Sequence, residues 1–372
     1  MADRPVGFGR REESTPGASV AVPGSVTLDD AAAAALLPER PKRGHKGSFG
    51  KILVIAGSLD YAGAALLVCR AAGRAGAGLV TLAVPESLQP LFAAKVVEAT
   101  TMALPEDDVE EVDPEPAIAR ILDHDHDALG VGPGLRPGLA TAELVRQLLA
   151  VPSDDAPPPI VLDAEALRSL ATMERWWQGE RRPSVLTPHA GEFERVRAGS
   201  GHEPGEDGDL IGDDAARAAA ARDAAAEWRH VVVLKGAKTV IAAPDGSVSI
   251  APFENPALAS GGTGDVLSGT IGSLLAQGLT PYAAARLGVY LHGLAGDTVR
   301  ERFGDAGLLA SDLPDAVAIA RKRLAVIAER RQSAGRLGFG PRDAASDGSS
   351  PSPGEPPPAA APADQPDAKA GR

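Results

Sequence analysis

One segment of the 372-residue chain combines residue types that could carry out group transfer: Asn255-Pro-Ala-Leu-Ala-Ser-Gly-Gly-Thr-Gly-Asp265-Val-Leu-Ser-Gly269. Gly261, Gly262 and Gly264 surround Thr263 and lead into a lone acid, Asp265. The residues that follow are apolar at helical spacing, so the glycines form a turn that opens a helix. The first amides of a helix have no intrahelical partners, and the helix dipole adds partial positive charge beside them. Gly261, Gly262, Thr263 and Gly264 are therefore a candidate anion hole. A carboxylate in a nest built for anions repels the ligand unless it takes a proton from it. That combination points to phosphoryl chemistry on a hydroxyl, with Asp265 as catalytic base. The competing reading is a helix cap on a tight turn.

Other candidates sit where an open α/β sheet binds ligands, beyond the carboxyl ends of its strands. Lys235-Gly-Ala-Lys-Thr239 ends an apolar strand with a cation and a flexible residue, which suits a nucleotide phosphate. His189 and Glu192 follow Pro188 and read either as an acid/base pair or as a helix start with its acid facing the dipole. Gly132-Pro-Gly134 has the wrong spacing for a dinucleotide fingerprint and reads as a structural turn. His124-Asp-His-Asp127 precedes a strand, at the non-catalytic edge, and reads as a solvated turn rather than a metal cluster. His292, inside a helical pattern, reads as packing. No P-loop, His-Glu-x-x-His or Cys-x-x-Cys motif occurs.

The elements that must position these residues follow from pattern. Strands are expected at 51–56, 79–84, 128–131, 160–163, 184–186 and 231–234. A hairpin over 239–243 and 248–250 turns at Pro244-Asp-Gly-Ser. Helices are expected at 62–75, 139–149, 215–228, 265–276, 281–302 and 311–331. The early strands are continuously apolar, as in a sheet covered on both faces, and strand-helix alternation predicts a doubly wound, mostly parallel α/β sheet. Residues 1–44 are expected to be a flexible segment apart from a short apolar run at 31–37. Residues 45–332 form the catalytic domain, and 333–372 are expected to be a disordered Pro/Ala/Ser-rich tail. Two acid-rich stretches, 105–116 and 198–214, read as surface loops.

A net charge of −13 disfavours nucleic acid and anionic membranes as partners, so an anionic ligand must be held by local donors. The single cysteine, Cys69, lies in an apolar run and fits a reducing cytosol. No stretch is long and apolar enough to span a bilayer and no signal pattern opens the chain, so a cytoplasmic protein with small-molecule substrates is expected.

Taken in order, several stretches carry a family resemblance. They are Gly44-His-Lys-Gly-Ser-Phe-Gly-Lys with Gly57-Ser58, Tyr61-Ala-Gly-Ala-Ala-Leu, Gly73-Arg-Ala-Gly-Ala-Gly-Leu-Val, Gly132-Pro-Gly-Leu, Leu162-Asp-Ala, Leu186-Thr-Pro-His-Ala-Gly-Glu-Phe, Leu234-Lys-Gly-Ala-Lys-Thr and Gly261-Gly-Thr-Gly-Asp-Val-Leu-Ser-Gly. This series resembles the ribokinase-like superfamily, and within it the ADP/ATP-dependent NAD(P)H-hydrate dehydratases. The resemblance implies that Ala64, Gly134, His189 and Asp265 contact the hydrated nicotinamide nucleotide. It implies that Lys235, Gly236, Ala237, Lys238, Thr239 and Gly264 hold ADP or ATP. It suggests Mg2+, with Glu192 as the one candidate ligand, and a homo-oligomer. Many relatives carry an N-terminal epimerase domain; with about 44 residues before the core, this chain reads as a stand-alone dehydratase. The nearest rival is a small-molecule kinase of the same fold (hydroxymethylpyrimidine, pyridoxal or thiazole type), against which His189 stands where such kinases carry asparagine. A non-catalytic dinucleotide-binding regulator is the rival of another class, and the carboxylate of Asp265 counts against it.

Overall fold

The computed structural model describes residues 22, 24–150, 157–179 and 181–336. The first half contains β1 (Ser25–Thr27), α1 (Asp30–Ala35), β2 (Lys51–Ile55), α2 (Ala62–Ala75), β3 (Leu79–Pro85), α3 (Gln89–Ala93), β4 (Thr100–Leu104), β5 (Glu106–Asp108), β6 (Glu111–Val112), α4 (Pro114–Asp123), β7 (Ala128–Val131) and α5 (Leu139–Leu149). There follow β8 (Ile160–Leu162), α6 (Glu165–Leu170), β9 (Ser184–Leu186), α7 (Ala190–Gly199), α8 (Asp214–Trp228), β10 (Val231–Leu234), β11 (Val240–Ala242), β12 (Val248–Ile250), α9 (Thr263–Ala276), α10 (Pro281–Phe303) and α11 (Leu313–Arg336).

The ten-stranded sheet runs β1-β12-β11-β10-β9-β8-β7-β2-β3-β4. Within it, only β11 runs against its neighbours, β10 and β12, which makes the expected hairpin. Apolar strand runs are explained by burial on both faces. In β2, Ile52 and Val54 enter one core while Leu53 and Ile55 enter the other; in β10, Val231 and Val233 are likewise separated from Val232 and Leu234. The first core is closed by α1, α2, α9, α10 and α11, the second by α4 to α8. From β2 the chain winds outward through β3 and β4, then returns to pair β7 with the other edge of β2 and continues to β8, β9 and β10. The order therefore reverses between β2 and β7, where this architecture opens a ligand crevice.

Two regions depart from the sequence expectation, and a third is tied down more firmly than a free loop. Part of the segment expected to be flexible is built into the fold: β1 pairs in parallel with β12, Leu28 is 1% exposed, and Asp29 caps α1 by accepting from Ala32 N–H at 2.7 Å. A three-residue strand before an alanine run carries almost no local signal; its partner lies more than 200 residues away. The 105–116 stretch is not a simple loop. It forms the β5–β6 hairpin, in which the Glu106 carboxylate accepts the Ser87 and Glu110 amides. The 198–214 stretch lacks regular structure beyond the end of α7 and the start of α8, but Arg197, 7% exposed in its side chain, ties Asp207 at 2.9 Å to Glu227 at 2.7 Å beneath it. Residues 333–336 continue α11, and the rest of the expected tail lies outside the described residues.

Candidate functional site

Five parallel strands, β2, β7, β8, β9 and β10, deliver their carboxyl ends to one edge of the sheet. The loops after them carry Gly57, Gly132 to Gly134, Asp163, His189 and Lys235. Over this edge stands the N-terminus of α9. Its approach is fixed by close packing on α2: a Cβ on Gly269 would lie 2.4 Å from Val68 O. Gly262 caps α9 with φ 89°, a left-handed conformation that glycine adopts without strain. Thr263 Oγ1 donates to Leu258 O and Ser260 O, and the Thr263 N–H donates to Ser260 O at 3.4 Å, so Thr263 closes the turn and leaves the expected anion hole to the glycine amides.

Lys235 is the hub of the site. Its Nζ lies 2.9 Å from Asp163 Oδ1 and 3.5 Å from Glu192 Oε2. Burial works to lower the Lys235 pKa, but the two carboxylates outweigh it, so the pKa is raised and the ammonium stays charged. Asp163, 2% exposed, also accepts Ser268 Oγ from α9 at 2.5 Å. Gly264 lies against both Lys235 Nζ and Asp163. Asp265 is half-buried beside this cluster. Burial, reinforced by Asp163 and Glu192 against the opposing pull of Lys235, pushes its pKa up to about 7. A carboxyl poised there exchanges a proton near neutral pH, as a general base requires.

A cavity of about 510 Å³ is lined by Lys235, Gly236, Ala237, Thr239 and Gly264, with apolar walls from Phe253, Leu258 and Val289. Buried Arg217 of α8 holds the loop that lines it by donating to Leu234 O and Ala237 O. Lys238 is the exception among the nucleotide candidates: its Nζ pairs with Asp214 and Glu254, each at 2.9 Å, and it does not line the cavity. Asp265 Oδ2 lies near Gly262, which abuts Leu67 of α2. One turn earlier on α2, Ala64, with Tyr61 just before the helix, abuts Gly134, and Gly57 N–H donates to Pro133 O at 2.9 Å. Ala64 and Gly134 thus meet at the crevice where the strand order reverses. Gly132-Pro-Gly134 is a turn, as its spacing suggested, and one that walls this crevice.

His189 has a structural part in the site. It caps α7: Nδ1 accepts the Glu192 N–H at 3.3 Å, and Glu192 Oε2 accepts the His189 N–H at 2.9 Å. Lys235 N–H donates to Pro188 O at 2.8 Å, which brings the His189 and Lys235 loops together. The helix-start reading of the pair is the one these contacts show, and Glu192 also faces Lys235 at 3.5 Å. Asp163, Ser268 and His292 were not singled out as functional by sequence reasoning. Asp163 carried a signal, an acid ending an apolar strand; Ser268 and His292 sit among buried helix residues and carried none.

Gly132 tests how firmly the crevice is built. It has φ 121°, and a Cβ there would lie 1.8 Å from Asp163 O. Gly132→Ala is expected to cost about 1–3 kcal/mol from the backbone conformation alone, with further loss from displacing Asp163. A fall in the thermal midpoint together with reduced turnover checks this; an unchanged midpoint contradicts it.

No three His, Cys, Asp or Glu side chains among the described residues form a metal cage, and the His124–Asp127 stretch makes none. No helix among them is long and apolar enough to cross a membrane.

Comparison with known proteins places the chain in a family. The model of a family described as NAD(P)H-hydrate dehydratase matches residues 52–318. A bifunctional NAD(P)H-hydrate repair enzyme of Moorella thermoacetica is 43% identical over 75% of this chain and 50% of its own length. The ADP-dependent (S)-NAD(P)H-hydrate dehydratase of Bacillus subtilis is 36% identical over 76% of this chain and 92% of its own. The chain thus spans about half the length of the bifunctional relatives and nearly all of the shorter one. A crystal structure of the B. subtilis ADP/ATP-dependent dehydratase, co-crystallized with ATP/Mg2+, superposes with a TM-score of 0.66 at 33% identity, covering 81% of this chain and 99% of that one. A ribokinase-like protein of Enterococcus faecalis, 24% identical with a TM-score of 0.67 over 83% of this chain and 99% of its own, shares the fold.

Proposed function

Because the chain belongs to the NAD(P)H-hydrate dehydratase family, we propose that it restores hydrated NADH and NADPH by ADP-dependent dehydration, with ATP as the alternative nucleotide. The observation that carries this reading is the placement of Asp265. Its carboxyl lies beside the Lys235, Asp163 and Glu192 cluster, next to Gly264, which lines a cavity of nucleotide size, and burial pushes its pKa up to about 7.

Asp265 takes the proton from the hydroxyl on the hydrated nicotinamide ring, and the freed oxygen attacks the terminal phosphorus of ADP. The bond from that phosphorus to the bridging oxygen breaks, and AMP leaves. In this scheme amides of Gly261, Gly262 and Gly264 serve the developing negative charge, and Lys235 adds a fixed cation beside it. The ring-nitrogen lone pair then breaks the C–O bond of this ester and expels phosphate, and loss of a proton from the adjacent ring carbon completes the double bond of NAD(P)H. Phosphate leaves where hydroxide would not. His189 and Gly134 border the ring side of Asp265 in this scheme.

A magnesium ion would be held chiefly by the nucleotide phosphates and water, beside Lys235 and Glu192, and would supply charge neutralisation there. Glu192, the carboxylate expected to serve it, is held by Lys235 and the His189 amide. A cytoplasmic setting goes with this reading, since the nucleotides are metabolites and Cys69 is a buried free thiol.

The test is incubation of the protein with hydrated NADH and ADP, following the absorbance of reduced nicotinamide and free phosphate. Equimolar recovery of both is expected. Phosphoryl transfer to a vitamin alcohol without recovery of NADH would establish the kinase instead.

A further inference from the structure

His292 of α10 is buried at 9% exposure and lines the cavity proposed for the nucleotide. Its Nε2 lies 2.9 Å from the Thr263 carbonyl oxygen. That oxygen can only accept, so Nε2 carries the proton. Burial, with Lys235 adding to it, holds the ring's pKa down to about 4, so the imidazole is neutral at pH 7. The remaining nitrogen, Nδ1, is therefore a bare acceptor. It makes no hydrogen bond within the described residues. Nor is it sealed from solvent, unlike both nitrogens of His230, which are buried without partners. Much of the wall of the cavity that His292 lines is apolar: Ala251, Phe253, Leu258, Leu267 and Val289. A ligand that displaces water from Nδ1 must return a donor, because an unmatched acceptor in such surroundings weakens binding.

We infer that His292 is a specificity residue for the nucleotide: Nδ1 accepts a hydrogen bond from a donor group on the adenosine half of ADP or ATP, while Nε2–H holds the first carbonyl of α9. The inference rests on the nucleotide-dependent reading of the same cavity and adds which kind of group the cavity reads. Adenosine offers two such donors, the 6-amino group of the base and the ribose hydroxyls. The contact at Thr263 O places the reader two residues from Asp265, so the side chain that senses the nucleotide also fixes the start of the helix that carries the base.

Equilibrium titration of the full chain with ADP, inosine diphosphate, and 2′-deoxy- and 3′-deoxy-ADP tests this. In the unmodified protein, either the inosine or a deoxy analogue is expected to bind about tenfold or more weakly than ADP. A loss with inosine assigns the amino group; a loss with a deoxy analogue assigns the ribose. In His292→Phe, ADP is expected to fall to the level of the discriminated analogue, so that the difference between them disappears. If all analogues bind the unmodified protein as ADP does, or if discrimination survives in His292→Phe, the inference is overturned. The comparison in the unmodified protein stands even where the variant fails to fold. Tight, His292-dependent ADP binding without turnover of hydrated NADH would overturn the dehydratase reading and leave this one intact.

Discussion

Asp265→Asn is expected to lower kcat for dehydration by about 10²–10⁴-fold, the span typical of a positioned general base, with ADP affinity largely retained. Asparagine keeps the shape of the side chain at the third residue of α9 and leaves the turn amides and Lys235 in place, so only proton abstraction is removed. The pH dependence gives an independent check. The carboxyl must be ionised to act, and its pKa is pushed up to about 7, so activity should rise with pH through about 7. Stability should move the other way. An aspartate pKa of about 3.9 in the unfolded chain lies below the folded value, so the native state holds the extra proton between the two. Its contribution to stability is present below about pH 4 and is lost as pH rises through about 7. Asp265→Asn should remove that slope from chemical denaturation measured at several pH values. Turnover within a few-fold of the unmodified protein, with the same pH limb, would rule Asp265 out as the base.

Lys235→Met is expected to be the most destabilising single change in the site. Asp163 is 2% exposed and Glu192 11%, and Lys235 is the cation between them. Removing one partner of a buried ion pair leaves an uncompensated charge and costs about 3–5 kcal/mol. Urea denaturation should show the midpoint fall, and Asp163→Asn in the Lys235→Met background should recover part of the loss, because the stranded charge is gone. The same substitution has a signature in catalysis. Lys235 is the group that opposes the upward shift of Asp265, so without it the pH limb should move above 7. A variant with unchanged midpoint and unchanged limb would mean that the two carboxylates do not depend on Lys235.

Sequence and structure contributed at different ranges. Features set by local chemistry were legible in the chain. The glycine turn opening a helix, the proline that halts the strand before His189, and the continuous apolar runs of β2 and β10 each follow from interactions within a few residues. Features set by pairing across the chain were not. The strand β1 is held by β12, and the 105–116 stretch becomes a hairpin whose Glu106 accepts the Ser87 amide, contacts that no local pattern encodes. The candidate site divides the same way.

Residue types and order identified Asp265 as an acid in an anion nest and suggested the chemistry. Its protonation behaviour came only from the tertiary structure, because burial and the carboxylates of Asp163 and Glu192, 102 and 73 residues earlier in the chain, set the pKa. His292 illustrates the limit further: one histidine in an apolar helix looks like packing until the carbonyl it faces and the cavity it lines are known. The sequence by itself determined which groups are present and which turns present them. The tertiary structure decided which charges are neighbours and which polar atoms are left open to a ligand, since electrostatics and desolvation depend on distance in space rather than along the chain.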